Sequence, residues 1–409
     1  MRAKLLIFSV IVSVFLMGCD LTPKGDRVVT TIHNVAKFGE GSHDLVYKKI
    51  PVISLKGTHA EMGAQHGGLL SIAIKNYYDK VVLPYMNERF GREFFLIAAK
   101  EYLEPNIPKE YIDEMKRIAE TSNNEYDNIL LINTFVDIAS ILAGRNNELV
   151  PFSGVSFGFV NELSKCEGPI VARNMDLRFG IDAVNMQSYI FVIHPVKGKP
   201  YMYVAWPGMV GTMTGMNLSG FVATSNPVTG PKGMTPGIPY TILMRNILEN
   251  CDTVPKAHEV IISSKLIGGN SFLLSDTSDK IWTIECTPFK ISVRRDHKAV
   301  TEEGELPTYT LSSLDTFVAS VLNDECILSS EHQSRVKILS SRLGNLGFPW
   351  SAQDMSNFAG KLSIKGRTVL SVVFIPGTQN IRIWRIEDND REFYEIDTNA
   401  SYGILGKFQ

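Results

Sequence analysis

The residues best suited by type to do chemistry lie in one stretch of the chain. Ser153-Gly154-Val155-Ser156-Phe157 sets two hydroxyls three positions apart, and beyond a polar turn Arg173-Asn174-Met175-Asp176 adds a guanidinium and a carboxylate. A hydroxyl attacks a carbonyl once a base takes its proton. Arg173 and Asp176 could serve such a site, or form a structural ion pair. Strand spacing sorts the hydroxyls: alternation puts Ser153 on the face of Val155, Phe157 and Phe159, away from Gly154, Ser156 and Gly158. A bulge at Gly154 would bring Ser153 round. Ser156 shares the Gly154 face but sits about 7 Å further along a strand.

Other reactive types carry less. His59 and His66 are seven residues apart, two helical turns, a spacing that fits a metal but is commoner for packed histidines, so no metal is expected. Cys166 has only Lys165 beside it and reads as inert. Cys166, Cys251, Cys286 and Cys326 are far apart with no Cys-x-x-Cys, which argues against zinc and leaves the disulfide state open. Trp206, Met209, Met213 and Met216 could line an acyl pocket or fill a core.

The start of the chain is a targeting device. Arg2 and Lys4 precede an apolar run from Leu5 to Met17, too short to span a bilayer stably, and Leu16-Met17-Gly18-Cys19 looks like a bacterial lipobox. The expectation is a signal peptide over 1–18 and a lipid on Cys19, holding an exported body at the membrane on its periplasmic or extracellular side. With 44% hydrophobic residues and a net charge of −2, the chain is ordinary for a globular protein. No basic cluster is interleaved with aromatics, so nucleic acid is not expected as a partner.

These residues need elements to hold them. Residues 19–46, polar with Pro23, Gly25, Gly39 and Gly41, read as a tether. Residues 47–152 read as helical and propeptide-like, with helices over 61–82, 112–119 and 126–142. From 153 to 409 strands dominate: 155–160, 169–172, 189–194, 201–206, 220–224, 272–275, 281–286, 368–375 and 381–386, with helices at 239–250, 254–264, 334–343 and 352–362. Helices, strands, helices and strands in that order suit an α+β fold of two antiparallel sheets packed face to face with helices outside, 47–152 packing with 153–409 as one unit.

Across roughly Ile53 to Trp384 the chain resembles the isopenicillin-N acyltransferase family of N-terminal nucleophile hydrolases, related to acid ceramidase and choloylglycine hydrolase. The matching blocks are Gly57-Thr58-His59-Ala60-Glu61-Met62-Gly63 with His66-Gly67, Asn128 to Asn133, Arg173-Asn174-Met175-Asp176, Pro207 to Gly211, Thr214 to Gly220, Gly237-Ile238-Pro239 with Arg245, and Asn270-Ser271-Phe272 with Asp276. The resemblance implies a four-layer αββα fold, no cofactor, and self-cleavage that frees a nucleophile whose own α-amine is its base. It assigns Arg173 and Asp176 to orienting that residue, Asn217 to the oxyanion side and Arg335 to a distal position, although Asn217 also reads as a turn residue and Arg335 as a helix-surface residue.

Two positions depart from the family. Gly154 stands where the family carries its nucleophilic Cys, and the expected Thr-Asn-His stretch falls at Ser312-Ser313-Leu314-Asp315, without Asn or His. Two readings follow. One is a membrane-tethered amidase or acyltransferase acting on the non-peptide carbon–nitrogen bond of a small amide or acylated amine, with Ser153 as substitute nucleophile supported by Arg173, Asp176 and Asn217. The other is a catalytically silent relative that binds a ligand or serves as a surface lipoprotein.

Overall fold

The computed structural model describes residues 30–32, 35–44, 51–145, 152–159, 163–177, 188–228, 233–295, 300–301, 304–305, 309–313, 349–363, 367–385 and 394–397. The chain opens with β1 (Thr30–Ile32), β2 (Val35–Phe38), β3 (Gly41–Asp44) and β4 (Val52–Gly57), followed by α1 (His59–Tyr77), α2 (Leu83–Asn87), α3 (Arg92–Ala98), α4 (Lys109–Ser122) and α5 (Tyr126–Arg145). Next come β5 (Phe152–Phe159), β6 (Ile170–Leu177), β7 (Tyr189–Pro195), β8 (Tyr201–Ala205), β9 (Thr214–Asn217) and β10 (Val222–Val228), then α6 (Tyr240–Asn250) and α7 (Val254–Ser263). The remainder is β11 (Gly269–Asp276), β12 (Lys280–Cys286), β13 (Ile291–Arg295), β14 (Val300–Thr301), β15 (Gly304–Glu305), β16 (Tyr309–Ser313), α8 (Ala352–Lys361), β17 (Thr368–Ile375), β18 (Asn380–Arg385) and β19 (Tyr394–Asp397).

An eleven-stranded sheet runs β1-β2-β3-β4-β7-β8-β9-β10-β11-β12-β13, and a six-stranded sheet runs β16-β5-β6-β17-β18-β19. Neighbouring strands are antiparallel except β4 and β7, a parallel pair whose connection passes through the helical region and the start of the small sheet. The small sheet shows why the layers stack. On β5, Val155, Phe157 and Phe159 point one way and join Trp350, Met355 and Phe358 in a core beneath α8. Gly154, Ser156 and Gly158 point the other way, and a Cβ added at Gly158 would sit 3.1 Å from Ile281 of β12 in the large sheet. A face of small residues lets the two sheets approach; a face of large ones carries the outer helix. The other helices share a second core with the large sheet, in which Ile74, Tyr77, Ile132 and Phe135 meet Phe191, Tyr203 and Met209. The result is the αββα order of layers, an α+β fold.

Local signals explain the helices. Thr58 closes a capping box with Glu61 at the start of α1, and Ser351 does the same with Asp354 at α8. In α5 an eighteen-residue window from Tyr126 to Ala143 is apolar enough to cross a membrane, yet 83% of it is buried inside the protein, so here it is a core helix.

The segment expected to be a tether is in part sheet. Its residues 30–32 and 35–44 form β1 to β3, which extend the edge of the large sheet beyond β4. Phe38 is the reason the hairpin holds: its ring lies where a Cβ on Gly68 of α1 would be, 2.4 Å away, so the missing side chain makes the seat. Polarity and glycines suggest a linker, but a short edge hairpin turning at Gly39 (φ +59°) has the same composition. Residues 83–103, to which the sequence assigns no individual helix, hold α2, α3 and one π-helical turn, Ala99–Leu103.

Candidate functional site

Strands β5 and β6 carry the residues singled out from sequence, and their pairing fixes the facing. The register runs without a break from Phe152 opposite Leu177 to Phe159 opposite Ile170, so there is no bulge at Gly154. Ser153 pairs with Asp176, Gly154 with Met175, and Ser156 with Arg173. Gly154, Ser156 and Arg173 therefore share the inner face, toward the large sheet, while Asp176 and Ser153 belong to alternate positions. The position of Gly154 is closed as well as bare. A Cβ there would lie 2.2 Å from the Asn174 carbonyl oxygen and 2.8 Å from Oδ1 of Asn226.

Between the sheets lies a buried polar cluster. Arg173 is buried, donates from Nη2 to the Ser225 carbonyl at 2.7 Å and from Nε to Asn226 Oδ1 at 3.3 Å, and its Nη1 has no protein partner. Burial pulls its pKa down to about 9, opposed by the charge of Asp176, so the guanidinium stays protonated at neutral pH. Ser156 Oγ accepts from the Thr224 hydroxyl at 2.8 Å and from Asn226 Nδ2 at 2.9 Å. The Ser225 hydroxyl donates to Asn270 Oδ1 at 2.9 Å. Asp176 accepts from the Thr368 hydroxyl at 2.6 Å across the β6–β17 pair.

Asn217, expected on the oxyanion side, is a turn residue. Its Nδ2 donates to the carbonyls of Leu248 and Cys251 at the end of α6, and its Oδ1 accepts from the backbone of Ser219 and Phe221. With both ends of the amide engaged in tying the β9–β10 turn to α6, none is left for a ligand. The Asn beside Gly154 and Arg173 is Asn226, which the sequence reading missed along with Thr224 and Ser225. One signal was available: Thr224, Ser225 and Asn226 are three consecutive polar residues in a strand of seven.

The other candidates resolve into structure. His59 lies between two carboxylates, Nδ1 at 2.7 Å from Glu114 and Nε2 at 3.0 Å from Glu249. Burial alone would lower its pKa, but hydrogen bonds to Glu114 and Glu249 outweigh it and raise the value to about 9. Glu114 in turn takes a two-pronged grip from Arg245, Nη1 to Oε1 and Nη2 to Oε2, both at 2.8 Å. Burial would raise Glu114, yet Arg245 and His59 hold it below the ordinary carboxylate value. His66, pushed down to about 4 by burial, accepts the Gly208 amide at 3.0 Å. Each histidine thus has its own protein partners, and among the described residues no group of three or more His, Cys, Asp or Glu side chains could hold a metal ion. Trp206, Met209, Met213 and Met216 are core residues. Cys166, Cys251 and Cys286 are free thiols. Ser312 and Ser313 are in β16, paired with Ser156 and Val155. Cys19, Leu314, Asp315, Cys326 and Arg335 lie outside the described residues.

Facing antiparallel sheets between helical layers, with the Arg173 cluster in the seam, make an αββα sandwich. Residues 163–302 match the family of acyl-coenzyme A:6-aminopenicillanic acid acyl-transferase, in keeping with the blocks seen in the sequence. The chain is 22% identical over 339 residues to protein dcd1A of Dictyostelium discoideum, covering 73% of this chain and 71% of that one. Among solved structures it is similar to penicillin V acylase from Agrobacterium tumefaciens (13% identity, 60% of this chain and 86% of that one, TM-score 0.42). It is also similar to a mutant of conjugated bile acid hydrolase from Clostridium perfringens (13%, 60% and 93%, 0.42) and to the Caenorhabditis elegans ortholog of N-acylethanolamine-hydrolyzing acid amidase (13%, 55% and 93%, 0.39).

Proposed function

We propose that this protein is a lipid-anchored, exported member of the acyltransferase and amidase class in which the chemistry has been lost and the scaffold kept. Cys19 carries the lipid, residues 47–152 stay packed against 153–409, and any ligand is a small amide or acylated amine. The observation that carries the silent reading is the closure at Gly154: the position has no nucleophile, and the Asn174 carbonyl and Asn226 amide occupy the space a side chain would need. Around it, Ser156 already accepts two hydrogen bonds from the large sheet. A cluster so paired is a packed seam more than a poised attacking group.

A second reading draws on one observation. The backbone of Ser153 sits directly opposite Asp176 at the start of β5, where a freed N-terminus would lie after cleavage before Ser153. The two part on a denaturing gel with intact-mass measurement. Silence predicts an uncut mature chain; a fragment of about 257 residues, Ser153 to Gln409, that vanishes in Ser153→Ala would establish the enzyme instead. Lipid on Cys19 is read from the mass of the N-terminal peptide, and its absence would remove the anchoring part of the proposal.

A further inference from the structure

We propose that the outward ridge of Phe90, Phe94 and Ile97 is a membrane-docking surface, seated on the lipid bilayer to which Cys19 tethers the chain. The inference rests on the tethering part of the reading above and adds which face of the body meets the lipid.

Phe94 and Ile97 lie three apart on α3, and Phe90 comes from the turn before it, across Gly91 (φ +83°). Phe90 is 45% and Ile97 48% exposed, whereas Phe95, one position round the helix from Phe94, is fully buried and fixes the helix against the core. The Phe90 and Phe94 rings pack with centroids 5.1 Å apart. Beside them opens a cavity of about 300 Å³ walled mainly by Phe94, Ile97, Ala98, Tyr102 and Met234, with Glu101 as its one charged residue. Exposed apolar residues such as Ile72 and Val196 occur singly, as on any protein surface. Adjacent aromatic and aliphatic side chains with a mainly apolar cleft at their foot are the kind of patch that marks an interaction surface.

Two observations select lipid as the occupant. The first is the length of chain before the body: ten residues, Asp20 to Val29, separate Cys19 from β1. Fully extended they reach about 36 Å, less than the roughly 50 Å diameter expected of a globule this size. An anchored body is therefore always within one diameter of the bilayer, and docking becomes an intramolecular step at high effective concentration. The second is charge. Glu88, Arg89, Arg92, Glu93, Lys100 and Glu101 flank the ridge with three charges of each sign, so burial of apolar surface must supply the attraction, and a zwitterionic bilayer suffices.

The full chain, purified from membranes and reconstituted on phosphatidylcholine vesicles, tests this with Ile97→Trp and, as a control, Ile262→Trp at an equally exposed site on α7 (49%). Fluorescence is read against the parent, which has four tryptophans, with and without lipids brominated in their acyl chains. Docking predicts at least two-fold stronger quenching of the added signal in Ile97→Trp than in Ile262→Trp, unchanged by 0.5 M salt. Equal quenching in the two variants would overturn it, including the case in which the ridge binds another protein. Lipidation is read separately by mass, so loss of the tether and loss of docking are different results: selective quenching of an unlipidated chain would keep the surface and discard the anchor.

Discussion

Asn226 of the large sheet donates its side-chain amide to Ser156 of the small sheet at 2.9 Å, and its Oδ1 accepts from Arg173 at 3.3 Å. One side chain thus joins both layers of the sandwich at the point where the resemblance calls for a reacting group. Buried hydrogen bonds of this kind contribute modestly when made and cost much more when one partner is left alone.

Asn226→Ala should therefore destabilise the fold by about 1–3 kcal/mol, by stranding Ser156 and the Arg173 guanidinium. Asn217→Ala should cost a similar amount through its turn and the end of α6. Coupling separates the two: in double-mutant cycles with Ser156→Ala, Asn226 should show an interaction energy above about 0.5 kcal/mol and Asn217 should be additive. Urea unfolding gives the numbers; coupling at Asn217 instead would return it to the site.

Gly154→Cys tests whether the scaffold could be re-armed. With the Asn174 carbonyl 2.2 Å from the new Cβ, β5 and β6 must part to admit it. The expected outcome is a loss of about 1–3 kcal/mol, as for other overpacked cores, and no self-cleavage. A processed Gly154→Cys chain on a gel would show that the strands separate readily and that only the nucleophile was missing.

The His59 bridge between α1, α4 and α6 should be sensitive to alkali. Its folded pKa lies above the ordinary 6.5, at about 9, so its stabilisation is complete below pH 6.5 and is lost as pH rises through 9. Melting temperature should fall from pH 6 to pH 9.5 in the parent and fall less in His59→Gln. Parallel curves would mean that the Glu114–Arg245 pair alone holds the joint.

Asp137 works in the opposite sense. Its Oδ1 accepts the Tyr240 amide at the start of α6, its Oδ2 has no protein partner, and burial raises its pKa from 3.8 to about 7. A raised carboxylate binds its proton more tightly when folded, so its contribution declines as pH climbs from about 4 to 7 and is level above that. Asp137→Asn should match the parent in melting temperature near pH 4 and exceed it at pH 8. An equal or lower value at pH 8 would show that the ionised carboxylate is well accommodated at the helix start.

Much of the architecture was legible in the chain because its causes are local. The helical runs at 126–142 and 254–264 and the strands at 189–194 and 368–375 follow from apolar spacing, and they match α5, α7, β7 and β17 closely. Alternation along 153–159 gave the facing of Gly154 and Ser156 before any pairing was known, and the unbroken register agrees. The hairpin at 35–44 was not legible, because what holds it is the empty space over Gly68 in a helix more than twenty residues away.

By itself, then, the sequence determined most of the order of elements, the two-sheet α+β class and the absence of a side chain at Gly154, since periodicity and residue type are properties of neighbours along the chain. Only the tertiary structure decided that Asn226 and not Asn217 meets Arg173, and that Gly154 is closed by Asn174. Both are asparagines beside polar and apolar neighbours, and a chain position carries no mark of which carbonyl will lie across the seam. That is fixed when two sheets, joined by residues far apart in sequence, settle against each other.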